Sequence, residues 1–238
     1  MITTIDIVRC SNRSGVQYRI AVRKNAAPVG RFSGNACVKK CYRPLKASEE
    51  LVVDGTQDIA IVTARLRLDR LVAADAPALY AYRGDDAVAR YQGWKPADVA
   101  AADAFIADQA RLAFGTADSW CQLAIRDKTT GELLGDVGVH FPVSTDEPIE
   151  FGLSLRPEQQ GQGFAREAMA TLLDLAFGEW SYRRAVGSVD PRNVSSMALL
   201  RSLGFRQEAH HVESYFFRGE WVDDVIFAML AREWRGHP

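Results

Sequence analysis

The residues best suited to chemistry lie in three short runs, and the first is Gln160-Gly161-Gln162-Gly163-Phe164-Ala165. Before it, Ile149, Phe151, Leu153 and Leu155 alternate with Glu150, Gly152, Ser154 and Arg156, the period of a strand. Pro157 ends any ladder there, having no N–H to donate. After it, Ala165, Met169, Leu172, Leu173 and Ala176 recur at helical spacing. A glycine-containing turn from strand to helix aims several backbone N–H groups at one point, at the positive end of the helix dipole. That suits an anion, most often a diphosphate. The third glycine of a dinucleotide fingerprint is missing, its place taken by Arg166. No Gly-Lys-Ser/Thr follows, so a nucleotide-triphosphate loop is excluded. An ordinary Gly-rich turn is the competing reading, and the short motif alone leaves the two even.

The second run is Asn193 to Ser196. The two residues stand three apart at the start of a helix and so share a face, although Asn193 also suits a plain N-cap. The third is a later strand on which Glu213 and Tyr215 fall on one face. Tyr91 and Trp94 sit around a loop, Gln92-Gly93-Trp94-Lys95-Pro96, where they either stack on a ligand or pack inward. Asp223 and Asp224 follow a turn and read as structural. His210 and His211 are adjacent and point to opposite faces, which does not suit a shared metal. Cys37 and Cys41 form a Cys-x3-Cys pair, but Cys10 and Cys121 offer no second pair, so no metal site is expected.

These residues need elements to position them. Leu66 and Leu68 alternate with Arg65 and Arg67, a strand with one wet face. A helix over 75–82 is closed by Gly84, and an Ala-rich helix over 98–114 has Asp98 as N-cap. Strands over 120–127 and 133–141 flank a glycine-containing hairpin loop. The 147–156 strand feeds the glycine turn and a long helix stopped by Gly178. A strand over 185–189, a helix over 193–203 and a closing hairpin over 205–217 and 221–230 complete the order. Strands separated by helices in the second half and a meander in the first predict one mixed sheet covered by helices, an α+β (mixed α/β) fold.

The chain of 238 residues is 47% hydrophobic and 25% charged, enough for a full core. Lys and Arg number 29 against 30 acidic residues, so no global charge draws it to nucleic acid. No run suits a membrane span and the first residues lack the apolar stretch of a signal peptide. Few, scattered cysteines fit a reducing, cytoplasmic setting. The charge is uneven: residues 1–50 carry 10 Lys/Arg and 3 Asp/Glu, and the remainder 19 and 27. With no sustained period beyond possible strands IDIV and YRIAV, residues 1–60 read as a basic, poorly patterned extension. The organised domain is expected over 61–238, and the late onset of pattern near Val62 also fits a start codon assigned too early.

Three segments together resemble the Gcn5-related N-acetyltransferases (GNAT), in the RimJ/RimL-type branch of ribosomal-protein alanine acetyltransferases. They are TARLRLDRL, IEFGLSLRPEQQGQGFAREA, and DPRNVSSMALLRSLGFRQEAHHVES with RGEWVDDVIFAML. The resemblance implies a central sheet of about seven strands with a splayed pair, and an acetyl-CoA-dependent N-acetyltransferase. In that reading the backbone of Leu153, Ser154 and Leu155 pairs with the pantetheine arm. Gln160, Gly161, Gln162, Gly163, Phe164 and Ala165 hold the pyrophosphate, Asn193 bonds the pantetheine amides and Ser196 faces the thioester sulfur. Acyl transfer to an amine needs a base, an oxyanion donor and a proton for the thiolate. Glu150, matching the family's IEIG-like glutamate, is the expected base, directly or through water, against the reading of a solvated strand carboxylate. Glu213 and Tyr215 are alternatives for the base or line the amine pocket, with Tyr91 and Trp94. The tyrosine acid of many family members is Leu200 here, which leaves Ser196, water or no donor at all for the thiolate. The acceptor is either a protein N-terminal amine or a small amine, with no metal, nucleic acid or membrane partner and a homodimer as one option. A non-catalytic acyl-CoA sensor or scaffold is the competing function, and a dinucleotide oxidoreductase a distant third.

Overall fold

The computed structural model describes residues 5–11, 17–23, 50–54 and 58–234, with side chains from Ile59 onward. The Cys37–Cys41 pair and most of the basic run lie outside the described residues. Seven strands carry the fold expected from the sequence: β5 (Leu66–Arg70), β6 (Ser119–Asp127), β7 (Leu133–Phe141), β8 (Ile149–Leu155), β9 (Arg184–Val189), β10 (Arg206–Phe217) and β11 (Glu220–Leu230). Four more precede them: β1 (Ile5–Ser11), β2 (Gln17–Arg23), β3 (Glu50–Asp54) and β4 (Asp58–Val62). All join one sheet in the order β1-β2-β3-β4-β5-β6-β7-β8-β9-β11-β10, so the described sheet has eleven strands rather than about seven. IDIV and YRIAV fall in β1 and β2.

The helices are α1 (Ala76–Arg83), α2 (Asp86–Ala89), α3 (Val99–Arg111), α4 (Phe164–Phe177) and α5 (Val194–Ser202). The four-residue α2 was not expected, because it is too short to show a period. Asp98 caps α3 by accepting from the N–H of Ala101 at 2.8 Å. Leu66 and Leu68 are fully buried while Arg67 stays wet, as their alternation requires.

Strand alternation divides the core between two faces. Leu123, Ile125, Val137, Val139 and Ile149 meet Leu172 and Leu173 of α4 on one side. Ala124 turns to the other, where Leu79, Tyr82, Ala102 and Ile106 of α1 and α3 cover it. Sealing an average-sized aliphatic side chain from water contributes about 1.5–3 kcal/mol, so the two layers fix where β8 and the start of α4 lie.

The domain edge expected at residue 60 falls inside β4. Ile59 and Ile61 are buried in the main core, and β4 pairs with β5 through Ala60–Asp69, Ile61–Leu68 and Val62–Arg67.

Candidate active site

The site is made by two strands that part. β8 and β9 run parallel but pair only at Ile149–Ala185 and Glu150–Val186, whereas β8 stays paired with β7 as far as Leu155–Gly135. From Phe151 onward the β9 side of β8 is therefore left without a ladder. The opening continues into a cleft of about 480 Å³ lined on one wall by Leu153, Ser154 and Leu155 and on the other by Asn193, Ser195, Ser196 and Leu199. Gln160, Gly161, Gly163, Ala165 and Arg166 close one end, and Ala87, Val88, Tyr91 and Gln92 the flank. The Ser154 hydroxyl beside it is buried and has no partner among the described residues.

The glycine turn leads directly into α4. Gly161 and Gly163 hold φ of 74° and 82°, a region L side chains resist. Gly163 is the N-cap of α4, so no side chain caps this helix. Among the described residues no backbone acceptor takes the N–H groups of Gly161 or of Gly163 to Arg166. Not every expected residue faces the cleft. Gln162 donates from Nε2 back to the Glu158 carbonyl at 2.6 Å, and Phe164 packs on the main core beneath Arg65. Asn193 does cap α5, accepting from the Ser196 N–H at 3.1 Å, while still lining the cleft.

Glu150 stands where β8 and β9 part. In register across the sheet it follows Trp120 of β6 and His140 of β7 and precedes Val186 of β9. Burial pushes its carboxyl above the ordinary glutamate range, with His140 opposing and Asp224 adding to the rise. Trp120 is 42% exposed, lies against Gly138 and Gly152, and has its ring 5.3 Å from that of His140. At Gly138 a Cβ would come 2.8 Å from Gln122 Oε1 and 3.0 Å from the indole, so glycine gives both side chains room.

A second hollow of about 100 Å³ shares Tyr91 with the cleft and is lined by Ser188, Asp190, Tyr215, Phe217, Val222, Asp223 and Asp224. Asp223 is held low by the Glu213 N–H and by His210, 2.7 Å away, and Asp190 by Arg192. Asp224 accepts from Ser188 Oγ at 2.7 Å. Asp223 and Asp224, read from sequence as structural, thus face an open hollow. Tyr215 lines it but Glu213 does not: the β10–β11 register shifts between His211 and Tyr215, and Glu213 has φ 46°. That irregularity breaks the two-residue alternation expected to put them on one face. Trp94 also lies elsewhere, stacked 4.4 Å from Phe105 against the helical core. Trp120, His140 and Asp190 gave no sequence signal of their own: register across β6, β7 and β8 brings the first two to Glu150, and Asp190 meets Asp223 and Asp224 only at the hollow.

The profile of the family described as "Acetyltransferase (GNAT) domain" matches residues 65–206, more than half of the chain. The chain belongs to the GNAT acetyltransferases. An N-acetyltransferase of Bacillus licheniformis, p20, whose function is uncharacterised, is 31% identical over 74% of this chain and 98% of its own. The spermidine N(1)-acetyltransferase of Vibrio cholerae is 34% identical over a shorter stretch, 31% of this chain and 43% of its own. In structure, a Vibrio cholerae spermidine N-acetyltransferase in complex with CoA and spermine covers 72% of this chain and 98% of its own, with a TM-score of 0.61 at 21% identity. This GNAT domain is thus an N-acetyltransferase that uses acetyl-CoA. The unpaired β8 edge, the free N–H groups and the buried Ser154 hydroxyl suit that donor. Among the described residues no helix is long and apolar enough to cross a membrane, and no group of three metal-ligating side chains converges.

Proposed function

We propose that the chain acetylates a small cationic amine, with the donor in the β8–β9 cleft and the acceptor between Glu150 and the acidic hollow. The observation that carries the reading is the half-buried Glu150 at the point where the strands part, with the hollow's three carboxylates beyond it. Acetyl-CoA supplies a thioester acetyl group that the amine nitrogen takes, the CoA thiolate leaving. Gly161, Gly163 and Ala165 offer N–H groups to its diphosphate. Leu153, Ser154 and Leu155 offer backbone to its arm, and Asn193 its amide. Gln160 sends its own Nε2–H to the Leu155 carbonyl at 3.1 Å, tying the turn to the strand. Gln162 and Phe164 support the turn from outside the cleft.

Glu150 takes the acceptor's proton, since an ammonium has no lone pair to attack with. Its raised pKa brings it nearer the working pH, where a general base is most effective. In this reading Ser196, which lines the cleft on α5, donates to the leaving sulfur. Leu200 is buried and supplies no proton.

The preference for a cation rests on Asp190, Asp223 and Asp224 gathered with Tyr91, Tyr215 and Phe217. Arg192 and, when protonated, His210 offset only part of that charge. Aromatic faces and carboxylates both attract an ammonium. The partial spermidine acetyltransferase relative supports the same class. A ribosomal-protein N-terminus, the RimJ/RimL-type acceptor, is the second reading.

Thiol release from acetyl-CoA tests this against spermidine, a monoamine of similar length and peptides with free N-termini. Faster turnover with spermidine is expected. Equal turnover with the monoamine removes the cationic preference, and turnover with peptides alone moves the acceptor to a protein N-terminus. Tight acetyl-CoA binding with no thiol from any amine would favour a sensor or scaffold role.

A further inference from the structure

We propose that Arg65, outside the glycine turn in sequence and absent from the cleft wall, is a positioning residue for acetyl-CoA. It draws the Glu167 carboxylate and the Gln162 carbonyl away from the cradle and so leaves its N–H groups free. The inference rests on reading the turn over 160–165 as the phosphate cradle.

Arg65 sits between β4 and β5 and reaches the start of α4 through several contacts at once. Its backbone N–H donates to Glu167 Oε1 at 2.8 Å and its Nε to Oε2 at 2.7 Å. One terminal nitrogen donates to the Gln162 carbonyl at 3.0 Å. The guanidinium lies 4.5 Å from the centre of the Phe164 ring. Thr63 adds its hydroxyl to Glu167 Oε1 at 2.5 Å. None of Arg65, Gln162 and Glu167 lines the cleft.

Two consequences follow for the cradle. A peptide is planar, so fixing the Gln162 carbonyl toward Arg65 aims the Gly163 N–H the opposite way. Glu167 is the acidic residue in the first turn of an uncapped helix. A carboxylate in the first turn is attracted to the free N–H groups and positive dipole end of the helix start. Left loose, this one would occupy the cradle or repel a diphosphate beside it. Burial pushes its carboxyl up, yet the hydrogen bonds from Thr63 and Arg65 win and hold it below the ordinary range, ionised and turned aside. Only a fork of donors reaches a carboxylate and a carbonyl together while stacking on a ring, which lysine cannot do.

Calorimetry with acetyl-CoA and steady-state kinetics on the full chain test this. Arg65→Ala and Arg65→Lys are each expected to raise Kd and KM for acetyl-CoA roughly 10-fold, the scale of losing a hydrogen bond to a charged group. Turnover at saturating donor should stay close to wild type. Adding Glu167→Gln to Arg65→Ala removes the misplaced anion and is expected to regain most of the affinity. If Arg65→Ala fails to fold, Arg65→Lys alone and with Glu167→Gln gives the same reading. Wild-type affinity in the Arg65 variants, or no recovery in the double variant, overturns the positioning role. A Gly163→Val variant separates the two layers: if it binds acetyl-CoA as well as wild type, the cradle reading itself falls, and the role of Arg65 with it.

Discussion

Glu150 concentrates the chemistry into one titratable group. Gln at this position keeps the shape and hydrogen-bonding reach but accepts no proton, so Glu150→Gln is expected to lower kcat by about 10²–10³-fold, the usual scale for one general base. Acetyl-CoA affinity should be nearly unchanged, which calorimetry checks. The sign of the pH dependence follows from burial. Glu150 works only when ionised, so kcat/KM falls as pH drops through its pKa. That acid limb is expected above the ~4.3 of a free glutamate, because burial raises the carboxyl. Asp224 contributes to the rise, so Asp224→Asn is expected to move the limb to lower pH. A limb unmoved in Asp224→Asn and retained in Glu150→Gln would assign it to another group. Glu150 could be picked out in the sequence from its strand position and its match to the family motif. Its neighbours could not, because Trp120 and His140 reach it only through the pairing of β6, β7 and β8, and Asp224 comes from the sequence-distant β11.

At the scale of elements, α1 is fastened to β7 by a polar group at the centre of the sheet. Asp136 is fully buried and accepts from Tyr82 Oη at 2.6 Å, from Arg83 Nε at 3.0 Å, and from Arg83 and Gln122 side-chain nitrogens on its other oxygen. Arg83 extends the link to Gln92 Oε1 at 3.1 Å, and the Gln92 carbonyl accepts from Arg218 at 3.2 Å. The flank of the cleft is thus tied to both the sheet and the closing hairpin. Asp136→Ala leaves the Arg83 charge buried without its partner and is expected to cost about 3–5 kcal/mol in urea unfolding. Arg83→Met with Asp136→Leu, which removes both charges, is expected to cost much less while still raising KM through the loosened Gln92. A stable Asp136→Ala protein would show that water reaches Arg83. None of this was legible beforehand, since Leu133-Leu134-Gly135-Asp136-Val137 reads as a strand buried on both faces. The strand itself was legible: its limits, Leu133 and Phe141, follow from the turn residues on either side. Periodicity failed where it was too short or interrupted, at the single-turn α2 and at the β10 irregularity that turns Glu213 out of line.

For the whole molecule, most of the order of strands and helices from β5 onward was readable, because the longer elements show their period and several are closed by glycine or proline, as Gly84 closes α1, Pro157 follows β8 and Gly178 stops α4. The edge of the sheet was not. The charge step near residue 50 and the weak pattern before Val62 set the expected boundary at residue 60, inside β4, whose Ile59-Ala60-Ile61-Val62 run lacks the alternating charges that mark β5. Its energetic weight is nevertheless large. Ile59 and Ile61 are 7% and 2% exposed within the main core, and β4 is the strand that pairs with β5. A chain starting at Asp58 keeps both side chains and is expected to retain acetyl-CoA affinity. One starting at Val62 removes both, at about 2–5 kcal/mol for each lost isoleucine side chain, and also strips β5 of its outer partner. Since a domain of this size is stabilised by only about 5–15 kcal/mol, the shorter chain is expected to unfold at a far lower urea concentration or to aggregate. Loss of β4 should also loosen the Thr63–Arg65 turn that holds Glu167, so acetyl-CoA affinity is expected to fall before global unfolding begins. Equal urea midpoints for the two chains would mean that α4 and its neighbours close over the vacated core, and that the domain does begin at β5.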